Sequence, residues 1–159
     1  MTTTTTGITT TLLTCLAQHL EDAGVGNWDP DGTYTTDTVG IYLKALPGTE
    51  TDPDTALALT AYGVDDTPTW DEDTDGGRAV TIGVQVRARG TRDPRVVDDL
   101  TDATYRALHN ATGLTLGTDT PLPVALIWRV SLADLGPDDE GRWETTQNFY
   151  AHTTRPFAL

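Results

Sequence analysis

The chain has 159 residues, the size of one ordinary domain, and its 24 acidic and 10 basic residues give a formal charge of -14. This charge argues against nucleic-acid binding through phosphate neutralisation, because an acidic surface repels DNA. Cys15 is the only cysteine, so a disulfide-stapled secreted domain is excluded. The apolar stretches are too short for a membrane span and the first residues carry no positive charge, so we expect neither a transmembrane helix nor a signal peptide.

The first elements in chain order are a terminus, a helix and a loop. Residues 1–7 are rich in threonine and are predicted to be disordered. Apolar residues recur at helical spacing over residues 8–20, which predicts an amphipathic helix that Gly24 ends. Turn-forming residues dominate residues 25–37, where Trp28 is the exception. A tryptophan in a polar loop either packs back onto the core or anchors a partner, and both interpretations stay open for Trp28.

Alternating apolar side chains predict three strands in the first half of the chain, over residues 39–43, 56–62 and 80–89. After the third strand the period changes to that of a helix. Asp93 is a good N-cap and Pro94 suits the first helical position. Apolar residues then recur at helical spacing, so a second amphipathic helix is predicted directly after this strand.

A long acidic loop is predicted over residues 63–77, before the third strand, and it contains Trp70 as a second candidate anchor for a partner. Three of its aspartates match the first, third and fifth positions of a calcium-binding EF-hand loop: Asp71, Asp73 and Asp75. The twelfth position, where that pattern needs a glutamate, is Ile82 inside a predicted strand. A solvated loop is therefore the main interpretation, and a calcium-binding module is the alternative.

The second half of the chain is predicted to add a loop over residues 110–123 and two strands over 124–132 and 142–153, joined by a turn at 135–141. Short turns join most strands and there are only two helices. The predicted fold class is therefore α+β, a mostly antiparallel sheet of four to five strands with two amphipathic helices packed on one face. It forms a single domain over residues 8–159, and its open sheet edges are available for assembly with a neighbouring subunit.

Basic residues concentrate at the turn between the third strand and the second helix. Four of the ten fall within nine positions: Arg87, Arg89, Arg92 and Arg95. One interpretation is a solvated turn whose arginines pair with the protein's own carboxylates. The other is a contact with an acidic surface on a neighbouring copy of the chain, because an acidic protein that assembles with itself needs local positive charge.

The sequence contains no recognisable catalytic constellation. Its three histidines, His19, His109 and His152, lie far apart, and none has the spacing that places two metal ligands on one helix face. Neither a phosphate-binding Walker loop nor a G-x-S-x-G nucleophile motif is present. We therefore expect no enzyme, no catalytic residue, no metal and no cofactor.

Several segments together resemble the tail terminator proteins of long-tailed bacteriophages, also called minor capsid or tail completion proteins. These segments are the helix that ends near Leu20, PDTALALTAYG at residues 53–63, the strand-turn-helix unit at residues 84–108, and LGPDDEGRWETTQNF at residues 135–149. The resemblance spans nearly the whole chain, except for the threonine run and the acidic loop.

The resemblance implies a structural virion protein rather than an enzyme. Members of this family form a hexameric ring on the finished tail tube, stop the addition of tube subunits and face the head completion complex. The implied partners are further copies of the chain, the tail tube protein and a head completion or stopper protein. DNA passes through the lumen without specific binding, and no membrane is involved. The implied place is the head-tail junction of the virion, with assembly in the host cytoplasm; another neck component is the alternative.

Overall fold

The computed structural model describes residues 7–66, 78–117 and 121–155. They form helices α1 (Ile8–Asp22) and α2 (Pro94–Leu108) and one seven-stranded sheet. The strands are β1 (Asn27–Trp28), β2 (Gly40–Leu43), β3 (Ala56–Asp66), β4 (Arg78–Arg89), β5 (Ala111–Leu116), β6 (Leu122–Pro137) and β7 (Trp143–Arg155). Their order across the sheet is β1-β2-β3-β4-β7-β6-β5. We predicted a disordered terminus over residues 1–7 and a single domain over residues 8–159. This division stays a prediction, since residues 1–6 lie outside the described ranges.

The predicted sheet of four to five mostly antiparallel strands is wrong. The observed sheet has seven strands, is mixed, and curls into a half-barrel. β1, β2 and β3 pair in parallel, and every later pairing is antiparallel. Hydrophobic period identifies a strand but carries no information about the direction of its neighbour, so the parallel pairs were not visible in the sequence.

Two strands were missed because their sequences favour turns. β1 has only two residues and lies in the stretch that was predicted as a loop. β5 falls inside the predicted loop at 110–123, where Gly113 has a positive φ of 59° and interrupts the apolar alternation. β6 is also longer than predicted and continues to Pro137, three residues into the predicted turn.

Irregular pairing explains the curl of the sheet. The register of β6 against β7 shifts at three places, around residues 125, 130 and 135, and the register of β3 against β4 shifts at Gly63. An extra residue on one strand bends it and increases its local twist. A 16-residue strand with three such shifts cannot stay flat, and β6 therefore curves.

Both helices lie on the same face of the sheet. Alternate residues of the central strand β4 point to this face and are fully buried, as the sequence pattern predicted: Val80, Ile82, Val84, Val86 and Ala88. Phe149 and Ala151 of the adjacent β7 join them, and α1 covers them with four buried leucines: Leu12, Leu13, Leu16 and Leu20. Burial of each such leucine is worth about 1.5–3 kcal/mol, so apolar packing is the main force that fixes α1 on the sheet.

The ends of both helices follow the predicted chemistry. α1 ends at Asp22, and Gly24 takes the left-handed conformation with φ 76°, which a glycine adopts without steric cost. At the start of α2, the carboxylate of Asp93 accepts a hydrogen bond of 3.0 Å from the backbone N–H of Arg95, and Pro94 is the first helical residue. The predicted N-cap is confirmed.

Arg129 joins β6 to α2 at the middle of the strand. Its guanidinium lies 4.1 Å from the ring centroid of Tyr105 on α2 and donates from Nη1 to Oε1 of Gln147 at 3.1 Å. Its backbone N–H donates to Nδ1 of His109 at 2.9 Å, and the His109 ring stacks on Tyr105. Buried Gln147 in turn donates from Nε2 to the carbonyl of Thr101 at 3.1 Å. We call these five residues the Arg129 junction.

Candidate functional site

The structure places the four predicted arginines in three different environments. Arg89 is buried, and its guanidinium donates to three backbone carbonyls: Asp54 at 2.8 Å, Pro47 at 2.6 Å and Pro53 at 3.0 Å. Burial lowers the pKa of this guanidinium, and the nearby Arg142 lowers it further. Arg89 therefore holds the loop between β2 and β3 against the end of β4.

Arg87 lies two residues before Arg89, also on the face of the sheet opposite the helices. It forms an ion pair with Glu144 of the neighbouring strand β7. The carboxylate of Glu144 is nearly buried, whereas the side chain of Arg87 is about half exposed, at 48%. The two strand arginines are therefore both engaged within the chain.

Arg92 and Arg95 lie at the exposed start of α2. Arg92 donates from Nε to the carbonyl of Glu140 at 3.0 Å and is otherwise open to solvent. The Arg95 side chain is 85% exposed and pairs with the capping carboxylate of Asp93 at 2.7 Å. Hydrogen bonds from the side chain and backbone of Arg95 lower the pKa of the Asp93 carboxyl. Like the half-exposed Arg87, these two present charge at the surface, but they do so at the start of α2 rather than on the sheet.

A charged network beside Arg92 was not found by sequence reasoning. Arg142, at the start of β7, bonds Asp138 at 2.8 Å, Asp54 at 3.2 Å and Glu140 at 3.3 Å. Burial opposes ionisation of Asp138, but hydrogen bonds from the backbone and side chain of Arg142 and from the backbone of Glu140 lower its pKa overall. The sequence signal was an aspartate four residues before an arginine across a glycine-containing turn. This network closes the hairpin between β6 and β7.

The two candidate tryptophan anchors have different outcomes. Trp28 lies on β1, packs against the core cluster while partly exposed, and its backbone N–H donates to the Glu21 carboxylate at 2.5 Å. The structure thus favours the core interpretation of Trp28. Trp70 lies outside the described residues, as do the aspartates of the alternative calcium loop, Asp71, Asp73 and Asp75.

The face of the sheet opposite the helices carries uncharged polar and aromatic side chains across four strands. Tyr62 of β3 lies over Gly83 of β4, whose missing side chain leaves room for the ring. On the same level, Tyr150 of β7 meets the ring of Trp128 on β6 edge to face, with centroids 5.6 Å apart. Burial, and then the neighbouring Tyr150, raise the pKa of the Tyr62 phenol.

The next level of this helix-free face is a row of neutral hydrogen-bonding groups. Gln85 donates to Asn148 at 3.4 Å, and Asn148 donates to the hydroxyl of Ser131 at 2.8 Å. Together with Thr60, Tyr62, Val130 and Tyr150, these side chains border a shallow depression of about 370 Å³. Amides, hydroxyls and phenols can bind through hydrogen bonds, but a row of this composition supplies neither a nucleophile with an adjacent base nor a metal site.

The described ranges offer neither a cluster of metal ligands nor a helix that could cross a membrane. Over residues 7–66, 78–117 and 121–155, no three His, Cys, Asp or Glu side chains come close enough together to hold a metal ion. None of the helices in these ranges has the length and apolarity that crossing a membrane requires.

The comparisons with known proteins agree with the resemblance found in the sequence. The sequence profile of a family described as "Bacteriophage tail terminator protein" matches residues 19–155, from the last turn of α1 to the end of β7. The chain belongs to the bacteriophage tail terminator family. The predicted resemblance is thus confirmed, and a tail terminator is a structural protein of the phage tail in the virion. This assignment indicates a structural rather than an enzymatic role for the chain.

The fold of this tail terminator is similar to that of a chain in a solved structure titled "Virion of native gene transfer agent (GTA) particle". The TM-score is 0.51 at 15% sequence identity, and the match covers 72% of this chain and 78% of the other. Identity this low shows a shared fold and nothing finer. None of the curated proteins compared with the chain matches it in sequence.

Proposed function

We propose that this protein forms a hexameric ring on the head-proximal end of the phage tail tube, stops tube growth there and forms part of the head-tail interface. The observation that carries the proposal is the family match, which includes all seven strands, α2 and the last turn of α1. The similar chain from a gene transfer agent virion supports a place for this fold within an assembled particle.

The helix-free face has the composition expected for a surface past which DNA slides. In its two central rows, around Tyr62 and Gln85, the described side chains carry no charge, so a phosphate backbone meets no fixed cation there. The formal charge of -14 on the whole chain adds long-range repulsion. We therefore assign these two rows to the lumen, where DNA passes without specific binding. In the adjacent row, the ion pair with Glu144 offsets the charge of the half-exposed Arg87.

The remaining partners follow from the same proposal. A ring at the tube end contacts the tail tube protein on one side and a head completion or stopper protein on the other, and it assembles in the host cytoplasm. Arg92 and Arg95 are the proposed charged contacts with the tube or a neighbouring subunit, because they present charge at the surface. Arg87 and Arg89 contribute through the fold, since Glu144 and three backbone carbonyls engage them.

The test is negative-stain electron microscopy of the products made by a phage in which this gene is disrupted, with the wild-type gene supplied in trans as the control. Termination predicts tails of uncontrolled length together with separate, filled heads. Tails of normal length that fail to join heads, or heads that lose their DNA, would contradict termination and would assign the protein to another neck position.

A further inference from the structure

Two half-strands of the sheet have a free hydrogen-bonding edge within the described chain. β2 pairs with β3 only as far as Leu59, so residues 61–66 of β3 have β4 on one side and no described strand on the other. β5 pairs with β6 only as far as Ile127, so residues 130–137 have only β7 beside them. We call these segments the β3 free half and the β6 free half. Unpaired strand edges are templates for another strand.

Exposed apolar side chains occur on the same two segments. In the described chain, four large hydrophobic residues are more than one-third exposed, and all four lie on the free halves. They are Tyr62 at 39%, Val130 at 48%, Leu132 at 49% and Leu135 at 47%. Isolated exposed hydrophobic residues are common on any protein surface, but their confinement to two unpaired edges indicates that something covers those edges.

The directions of the strands make the two free halves complementary to each other. β3, β4, β7 and β6 are neighbours in this order, and each pair is antiparallel, so β3 and β6 run in opposite directions. If a second copy lies beside the first in the same orientation, its β3 therefore meets β6 antiparallel, with the same face of the sheet outward. This pairing continues one sheet from copy to copy.

The two free halves are displaced from one another along the strands. Val64, at the centre of the β3 free half, pairs with Ile82, whereas Ala133 of the β6 free half connects through Thr146 to Arg87. The two centres are thus five positions apart along β4, or roughly 17 Å at about 3.3 Å per residue. Pairing staggers each copy against the next, and a stagger of this kind is required when tilted strands close into a barrel.

We propose that the β6 free half of one copy pairs antiparallel with the β3 free half of the next copy, and that this head-to-tail contact joins the subunits of the ring. The inference rests on the ring of the proposed function and names its contact. Repetition of one such contact between different surfaces closes a ring.

The test uses two variants of the full chain, each with one edge altered. Leu132→Asp places a charge in the β6 edge and leaves the β3 edge intact, and Tyr62→Asp does the reverse. Ala125→Asp is the control, because Ala125 is exposed on the part of β6 that β5 covers. A charge buried in an apolar contact costs enough to weaken it at least about tenfold, so each edge variant should cap purified tail tubes at least about tenfold less than wild type or the control.

Two further measurements keep the proposal falsifiable. The first uses the wild-type protein alone: amide hydrogen exchange should slow in both free halves when the protein is bound to tubes. When the two variants are mixed, the intact β6 edge of Tyr62→Asp can still pair with the intact β3 edge of Leu132→Asp. Both remaining edges carry a charge, so native mass spectrometry should show a heterodimer and no larger assembly. Thermal melting confirms that each variant is folded.

The proposal is overturned if either edge variant caps tubes as wild type does, or if exchange in the free halves is unchanged on assembly. If both variants lose capping but still self-associate in solution as wild type does, the edges contact the tube protein instead, and the proposal is overturned as well. If wild type fails to cap tubes but forms oligomers that both variants lose, the terminator function fails and the strand contact stands. Wild type that stays monomeric on and off tubes contradicts the contact.

Discussion

The two parts of β6 are similar in composition but differ in how deeply their apolar side chains are buried. Residues 122–127 lie between β5 and β7, and Leu122, Val124 and Ile127 are buried. The free half, residues 130–137, lies beside β7 alone, and its large apolar side chains are nearly half exposed. Both parts are rich in branched apolar residues and belong to one continuous strand.

Apolar residues in a strand thus serve either the fold of their own chain or contact with another chain. Burial decides which, and burial depends on the neighbouring strand rather than on the residue. In a subunit of the proposed ring, the covered part should set the free energy of unfolding and the open part should set assembly. Substitutions confined to one part should therefore separate the two roles.

Shortening one apolar side chain in each part of β6 gives the most direct test. Ile127→Ala removes a side chain that is 1% exposed and should lower the free energy of unfolding by about 2–5 kcal/mol, because it leaves a cavity in the core. Leu132→Ala, at 49% exposed, should lower it by less than about 1 kcal/mol. Urea unfolding of the purified proteins measures both. Equal losses would show that the two parts of β6 contribute alike to the fold.

The arginines extend the comparison from apolar to charged side chains. Arg89→Ala leaves three carbonyls without their donor and should lower the free energy of unfolding by about 1–3 kcal/mol. Arg92→Glu at the exposed start of α2 should change it by less than about 0.5 kcal/mol and should instead reduce capping of tail tubes. Urea unfolding and tube binding, measured on both variants, separate the two effects. Unchanged tube binding by Arg92→Glu would remove that residue from the contact.

The smallest expected effect concerns the turn that closes the open part of β6. The pKa of Asp138 is lower in the folded protein than in the unfolded chain, so its contribution to stability is present above about pH 4 and is lost as the pH falls through the folded value. Asp138→Asn should therefore be less stable than wild type by under about 1 kcal/mol at pH 7, and the difference should shrink towards pH 2.

The control for this variant is Asp139→Asn at the exposed neighbouring position. Urea midpoints at pH 7 and at low pH measure the dependence, and amide exchange shows where the structure loosens. Faster exchange should be confined to the hairpin end at residues 134–144. A difference that grows on acidification would mean that the Asp138 carboxyl is not stabilised as the structure indicates.

The elements that the sequence predicted correctly are those whose signals are local. α2 has a capping aspartate, a proline at its first position and a helical apolar period, all within one segment, and β4 has strict alternation because both its neighbours and the helices cover it. β1 and β5 were missed because pairing with β2 and β6, rather than their own propensity, makes them strands. The strand count and the mixed pairing failed for this reason.

The candidate site was predictable only in part, because composition does not show burial. Four arginines within nine positions look alike in the sequence, yet Arg89 lies inside the fold and Arg95 outside it, since side chains on a strand and on a helix start face different surroundings. The family resemblance was visible because it depends on segments in order along the chain. The free halves were not visible, because an edge exists only once every pairing in the sheet is known.

The Arg129 junction has a mechanical consequence for the particle. It lies where the covered part of β6 meets the free half, and it fixes that point to α2 through an aromatic ring, an imidazole and a buried amide. If the free half pairs with a neighbouring copy as proposed, a force on it is therefore carried into the helical layer as well as into the adjacent strand β7.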